Sequence, residues 1–289
     1  MFFEKNFKYI AILPVALILI VLTILPLIEL LRMSVSEVSY IDGIINYKYI
    51  GFGHLNTMLN DFVVPIALKN TLIFVIAVVL VETILGFLLA YYVSRTNFLS
   101  TYYRSVIIIP LLIPRVAIGT MWSLMYDYNY GIITQILFYL GVEEPPLWTA
   151  DPDIALISVI IVDVWHWTSF IFLIMLASIE SIPKEYIEAA NVDGANETNI
   201  MFKITIPMIA PTIIIAMMLR TILAFKVFDE IYVLTSGGPG TSTQVISMYI
   251  YSVFSEETRF GYASFLSLVV GILMTIFVYV YLKINKKYK

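Results

Sequence analysis

Six stretches of this sequence are apolar over a length sufficient to cross a lipid bilayer: about 9–31, 67–93, 105–126, 154–178, 208–232 and 262–282. Crossing the hydrocarbon as a helix takes about 20 apolar residues, so each stretch reads as one transmembrane helix. Composition agrees, with 60% hydrophobic and 13% charged residues, where a soluble domain carries roughly 25% charged. The expectation is an all-α integral membrane protein, a single transmembrane domain over residues 1–289 with six spans. The first stretch follows Lys5 and Lys8. It is longer than the apolar core of a signal peptide and lacks a small-x-small cleavage site, so it is expected to remain as a span. The chain has no cysteine, which excludes disulfides, thiolate metal sites and cysteine nucleophiles. No basic tract suggests nucleic acid.

Orientation follows from where lysine and arginine fall, because cytoplasmic loops carry the excess. With the N-terminus inside, the cytoplasmic side receives Lys5, Lys8, Arg95, Arg104, Lys184, Lys203, Lys283, Lys286, Lys287 and Lys289, and the outer side Arg32, Lys48, Lys69 and Arg259. Residues 127–153, outside on this reading, are acidic and contain neither lysine nor arginine. Both termini are therefore expected in the cytoplasm. The outer segment 33–66 carries turn signals at Asp42-Gly43 and Gly51-Phe52-Gly53, and Pro145-Pro146-Leu147-Trp148 forms an aromatic outer loop suited to a partner. Pro110 and Pro114 break the third span, which is tolerated where neighbours satisfy the freed carbonyls.

Between the fourth and fifth spans lies a polar stretch, residues 183–207. Pro183 suits a first helical position, and Glu185 to Ala190 continue as good helix formers. Gly194 can adopt the left-handed conformation that ends a helix, and Asn196 can cap the next. Two short helices around a glycine turn are expected, a compact knob at the membrane surface. The run Glu188-Ala189-Ala190, then Gly194, then Ile204-Thr205-Ile206-Pro207 resembles the EAA loop of ABC-importer permeases, with Ile206 where that family usually has leucine. Thr235-Ser236-Gly237-Gly238-Pro239 is similar to the T-x-G-G-P turn that sugar-type members often carry after this loop. The plain alternative for the loop is an amphipathic surface segment whose alanines and glycine merely permit close packing.

Ionisable groups inside spans are costly and usually pair or face a cavity. Asp163, His166, Trp167 and Phe170 share one face of the fourth span, and Arg220, Leu223, Ala224 and Val227 form a stripe on the fifth. Converging, the stripes would join hydrogen-bonding groups to flat aromatic surfaces, the combination a sugar requires. Against this stand structural readings. Arg220 can be neutralised by Asp163, Glu82 can pair with Arg115 between the second and third spans, and Trp165 and Trp167 can be packing residues. Asp229 and Glu230 are expected to be solvated near the outer end, with Lys226 snorkelling outward or paired with Asp229. His166 has no second ligand at metal spacing.

The resemblance implies a type I ABC-importer permease fold in a prokaryotic inner membrane, crossed several times. It implies that Glu188, Ala189, Ala190, Asp193, Gly194, Ile204 and Pro207 couple to an ATPase. Asp163, His166, Trp167, Phe170, Arg220, Leu223, Ala224 and Val227 would face the substrate, although relatives often have amides where this chain has Ala224 and Val227. Implied partners are a second permease in a heterodimer, two ATPase subunits that bind the ATP and magnesium, an extracytoplasmic binding protein and a di- or oligosaccharide. This chain itself has no Gly-Lys dipeptide for a phosphate loop, no H-E-x-x-H and no G-x-S-x-G, so no catalytic residue is expected. Two other classes compete. An ion-coupled secondary transporter would use Asp163 or Glu82, and an intramembrane enzyme would need a partner for His166.

Overall fold

The structure, a computed structural model, describes residues 2–41, 43–96 and 100–287, with side chains described from residue 11 onward apart from Ile41. Asp42 and Lys289, named above for a turn and for the basic tail, lie outside the described residues, as do the side chains of Lys5 and Lys8.

The elements run α1 (Phe2–Ser34), β1 (Ser36–Ile41), β2 (Ile44–Tyr49), α2 (Gly53–Leu59), α3 (Val63–Arg95) and α4 (Ser100–Ile108). They continue with α5 (Arg115–Met125), α6 (Ile132–Tyr139), α7 (Ala155–Glu180), α8 (Lys184–Val192), α9 (Glu197–Ile200) and α10 (Ile206–Ala224). The last are α11 (Asp229–Leu234), α12 (Ile246–Ser255) and α13 (Phe260–Asn285). Five helices among the described residues are long and apolar enough to cross a membrane, or six if the bent pair around Pro114 counts as one. The strands are a departure from an all-helical chain: β1 and β2 pair antiparallel, Ser36 opposite Tyr49 and Ile41 opposite Ile44. The chain forms two compact units, residues 1–61 with 250–272, and residues 62–249 with 273–289.

Two of the expected spans are interrupted. The third turns by 97° between Leu112 and Arg115. Pro114 cannot donate the hydrogen bond that would continue the helix, and it forces Ile113 into an extended conformation at ψ 131°. The fifth does not run unbroken to residue 232. The α10 helix stops at Ala224, and α11 begins only at Asp229. No proline or glycine lies between Thr212 and Ser236 to announce that break. It falls where Lys226, Asp229 and Glu230 enter an otherwise apolar run, charges that are costly inside a span.

The core of the second unit lies where α3, α7 and α10 meet, with Phe87, Tyr91, Ile171, Phe172, Met175 and Ile209 buried together. Lipid tails are as apolar as these side chains, so close packing and interhelical hydrogen bonds hold such helices rather than hydrophobic burial. Gly86 is the means of close approach. A Cβ there would stand 2.7 Å from Ile171 Cγ2 and 3.0 Å from the Phe172 nitrogen. Polar links add to it, each of order 0.6 kcal/mol: Ser178 to Thr212 at 3.0 Å joins α7 to α10, and Ser169 to the Ile107 carbonyl at 2.5 Å joins α7 to α4.

Candidate functional site

An ionic network lies buried where the three core helices converge. Glu82 on α3, Asp163 on α7 and Arg220 on α10 are each at most 1% exposed. Arg220 Nε donates to Glu82 Oε2 at 2.5 Å and Nη2 to Oε1 at 3.0 Å, and Nη2 also donates to Asp163 Oδ2. The guanidinium fork is the one cationic side chain whose fixed donors can serve two carboxylates at once, so each buried charge has its partner. The pairing of Arg220 with Asp163 is as the sequence suggests. The pairing of Glu82 with Arg115 is not: Glu82 faces α10, and Arg115 lies at the start of α5 beyond the 97° turn.

Arg115 serves a second cluster. Its Nη1 is 3.7 Å from Asp229 Oδ2, and its Nε is 3.8 Å from Glu230 Oε1. His166 Nδ1 stands 3.4 Å from the same Glu230 oxygen. Glu230 is 1% exposed, which corrects the expectation of a solvated residue. The break after Ala224 turns α11 so that Glu230 meets His166 of α7 instead of continuing outward. Asp229 belongs with Arg115 rather than Lys226, and Lys226 is exposed. Trp167 joins the clusters, with the guanidinium carbons of Arg220 and Arg115 over its ring at 5.0 and 5.1 Å from the centroid. Such contacts contribute about 0.5–2 kcal/mol each. The His166 and Phe170 rings flank it at 5.1 and 5.7 Å.

Of the eight residues expected to face a substrate, the structure therefore brings Asp163, His166, Trp167, Phe170 and Arg220 together. Leu223 is half-buried, while Ala224 and Val227 are buried at the break, where the Val227 carbonyl accepts from the Ser247 hydroxyl. Sequence reasoning missed Glu230 and Arg115 as members of this cluster. Their placement depends on two helix interruptions, of which only the one at Pro114 has a local mark.

The stretch 183–207 forms the expected helix–turn–helix. Pro183 caps α8 rather than opening it, so the helix starts at Lys184, one residue after the expected start. Ala195 N–H bonds to the Ala190 carbonyl at 2.9 Å and Gly194 N–H to the Asn191 carbonyl at 3.1 Å, a Schellman ending that needs a left-handed residue. Gly194 supplies it at φ +75°. Asn196 Oδ1 then accepts from Asn199 N–H at 2.8 Å and caps α9. A π-helical turn at Met201–Thr205 leads into α10, which carries Pro207 in its first turn. Glu188, Ala189, Asp193 and Pro207 are exposed, Ala190 is buried and Ile204 is half-buried. Val192 is 88% exposed, an apolar tip on a polar knob. The knob is tied to α3, because Tyr91 donates to Glu197 Oε2 at 2.7 Å and Arg95 stands 3.9 Å from Glu197 Oε1. Beside it is a cleft of about 460 Å³ lined by Arg95, Glu180, Lys184, Glu188 and Thr205.

The turn at 235–243 is held by its own side chains. Thr243 bonds to Thr235 Oγ1 at 2.7 Å and to the Gly238 carbonyl at 2.8 Å. Asn70 at the start of α3 donates to the Thr241 and Gln244 carbonyls at 2.9 and 3.1 Å.

Residues 82–289 match the family described as binding-protein-dependent transport system inner membrane component. The trehalose/maltose transport system permease protein MalF of Thermococcus litoralis is 34% identical over 284 residues, covering 98% of this chain and 95% of that protein. The sulfoquinovosyl glycerol transport system permease protein SmoG of Agrobacterium fabrum is 31% identical over 271 residues, covering 94% and 87%. Among solved structures, a chain of a bacterial alginate ABC transporter, in complex with its alginate pentasaccharide-bound periplasmic protein, superposes with a TM-score of 0.84. It is 23% identical and covers 96% of this chain and 94% of its own, a likeness of fold.

Proposed function

The chain belongs to the binding-protein-dependent transport system inner membrane components, and from that premise we propose that it is a permease subunit of an ATP-driven importer of a di- or oligosaccharide. It is a multi-pass protein of the inner membrane, and the distribution of lysine and arginine supports placing both termini in the cytoplasm. The observation that carries the coupling role is the knob at 183–207, an exposed helix–turn–helix fixed by the left-handed Gly194 and joined to α3 through Tyr91 and Glu197. A partner that grips α8 would displace α9, α10 and the end of α3 together, because α8 and α9 share the turn at Gly194 and Tyr91 ties Glu197 across to α3. Glu188, Ala189, Ala190, Asp193, Gly194, Ile204 and Pro207 are the residues through which an ATPase would act.

In this reading ATP and magnesium bind to two partner ATPase subunits and none to this chain. A second permease completes a heterodimer, and an extracytoplasmic binding protein delivers the sugar. Closure of the ATPases rocks the helices about their packed core, and the sugar passes a pocket that includes Asp163, His166, Trp167, Phe170, Arg220, Leu223, Ala224 and Val227. Aromatic faces at Trp167 and Phe170 beside charged groups suit the C–H and O–H surfaces of a pyranose ring. The names of the relatives, a trehalose/maltose permease and a sulfoquinovosyl glycerol permease, support a carbohydrate. The test is ATP hydrolysis by the reconstituted importer with its binding protein, across maltose, trehalose, sucrose and cellobiose. At least one sugar is expected to stimulate hydrolysis several-fold; stimulation by none would remove the carbohydrate assignment.

A further inference from the structure

Glu230 is an anomaly among the buried charges. Glu82 and Asp163 accept close hydrogen bonds from Arg220, whereas among the described residues neither carboxylate oxygen of Glu230 has a hydrogen-bond partner. Its neighbours stand off: His166 Nδ1 at 3.4 Å and Arg115 Nε at 3.8 Å lie beyond the 2.7–3.2 Å of a made N–H···O bond. Among the described residues, neither His166 Nδ1 nor the indole Nε1 of buried Trp122 makes a close hydrogen bond. Trp122 lies two turns beyond Arg115 on the same face of α5, about 10 Å along the helix, and its ring meets Trp165 of α7 at 5.7 Å. A buried carboxylate is costly without close hydrogen bonds, and Glu230 has only the longer contacts to His166 and Arg115.

The backbone points the same way. Glu230 and Arg115 both sit at the start of a helical segment that follows an interruption, at 225–228 and at 113–114. Irregular backbone at membrane depth is tolerated where it is buried in protein or lines a water-filled cavity. Segments after such breaks are where transporters commonly hold a substrate.

We propose that Glu230, flanked by His166 and Arg115, is a substrate-hydroxyl site, its two oxygens accepting hydrogen bonds from neighbouring hydroxyls of a neutral carbohydrate. A carboxylate accepts in two directions at once, which matches a vicinal diol, and the Trp167 ring packs against the neighbouring His166 at 5.1 Å. A cationic ligand would have to approach the same oxygen that Arg115 already faces. An anionic sugar would meet Glu82, Asp163, Asp229 and Glu230 with only Arg115 and Arg220 to offset them. The substrate class is therefore a neutral sugar. The proposal rests on the sugar-importer reading above.

The test uses the whole importer in proteoliposomes with its binding protein. Initial uptake of maltose, trehalose, sucrose and cellobiose is measured first, then uptake of the monodeoxy analogues of whichever sugar is transported. In the native importer at least one analogue, lacking the hydroxyl that Glu230 receives, is expected to lose about 10- to 100-fold in rate, the range for a hydrogen bond to a charged group. In E230Q, which keeps the shape but turns one acceptor into a donor, the parent sugar should slow to that analogue's level and the difference between them should vanish. A merely structural role would slow every sugar alike and leave the ranking intact. Should E230Q not assemble, E230D, which shortens the reach and keeps the charge, carries the same comparison. Transport of the parent sugar with unchanged analogue ranking in the variant would overturn the Glu230 site and leave the importer reading standing. Uptake of none of the four sugars by the native importer would overturn both.

Discussion

Replacing Arg220 by methionine tests the structural weight of the ionic network. The substitution keeps the length and most of the apolar volume of the side chain and removes its charge. Arg220 makes three charge-assisted hydrogen bonds, two to Glu82 and one to Asp163, each contributing about 1.5–3 kcal/mol. Their simple sum is not the expected effect, because bonds that share one guanidinium in one network do not add. The relevant loss is that of leaving two carboxylates, both at most 1% exposed, without their counter-charge. Removing one partner of a buried pair costs about 3–5 kcal/mol. At 1.4 kcal/mol per factor of ten, the folded-to-unfolded ratio should fall by more than about 100-fold. The assay is denaturant or thermal unfolding of the purified importer in detergent, followed by tryptophan fluorescence. R220K, which keeps a point charge without the fork, should fall between. The triple replacement E82Q, D163N and R220M should recover most of the loss, since removing every member of a buried ionic group is often neutral. Native stability in R220M would refute the reading that Arg220 is the counter-charge the buried Glu82 and Asp163 depend on.

Other expectations concern the knob and the close helix contact. In G194V, a β-branched residue would have to hold φ near +75°, a strain of about 1–3 kcal/mol, although a Cβ there meets nothing within 4 Å. Uptake should be lost while membrane insertion is normal, and G194N should retain much of it, since asparagine tolerates this conformation; normal uptake by G194V would count against the coupling role. Y91F removes the hydroxyl that bonds Glu197, so more ATP should be hydrolysed per sugar imported, measured as the ratio of phosphate release to uptake. Adding bulk in G86V drives side-chain atoms into Ile171 and the Phe172 backbone, and overpacking of this kind costs about 1–3 kcal/mol, read as a lower midpoint in the same unfolding assay.

The parts of this molecule that the sequence reveals are those set by local rules. Span length, the cation bias, the proline break before Arg115 and the Gly194 turn each depend on a few neighbouring residues. All but the bias, which concerns the sides of the membrane, can be read directly in the helices of the folded chain. The hairpin at 36–49 was hidden because its turn signal at Asp42-Gly43 does not distinguish a loop from two short strands. The partner of Glu82 was also hidden: Arg115 and Arg220 are equally plausible mates by composition, and only the three-helix crossing decides between them. Glu230 lay furthest from view. Its burial follows from an unmarked break after Ala224 and a contact with His166 across two helices, neither of which a periodicity of 3.6 can register.

The most direct measurement of the central claim is sugar uptake into proteoliposomes in which ATP, the ATPase subunits and a transmembrane ion gradient are each supplied or withheld. Accumulation is expected only when the ATPase subunits and ATP are both present, with no dependence on the ion gradient. Accumulation by the permease chains alone, driven by the gradient, would contradict the account and favour a carboxylate-coupled carrier instead.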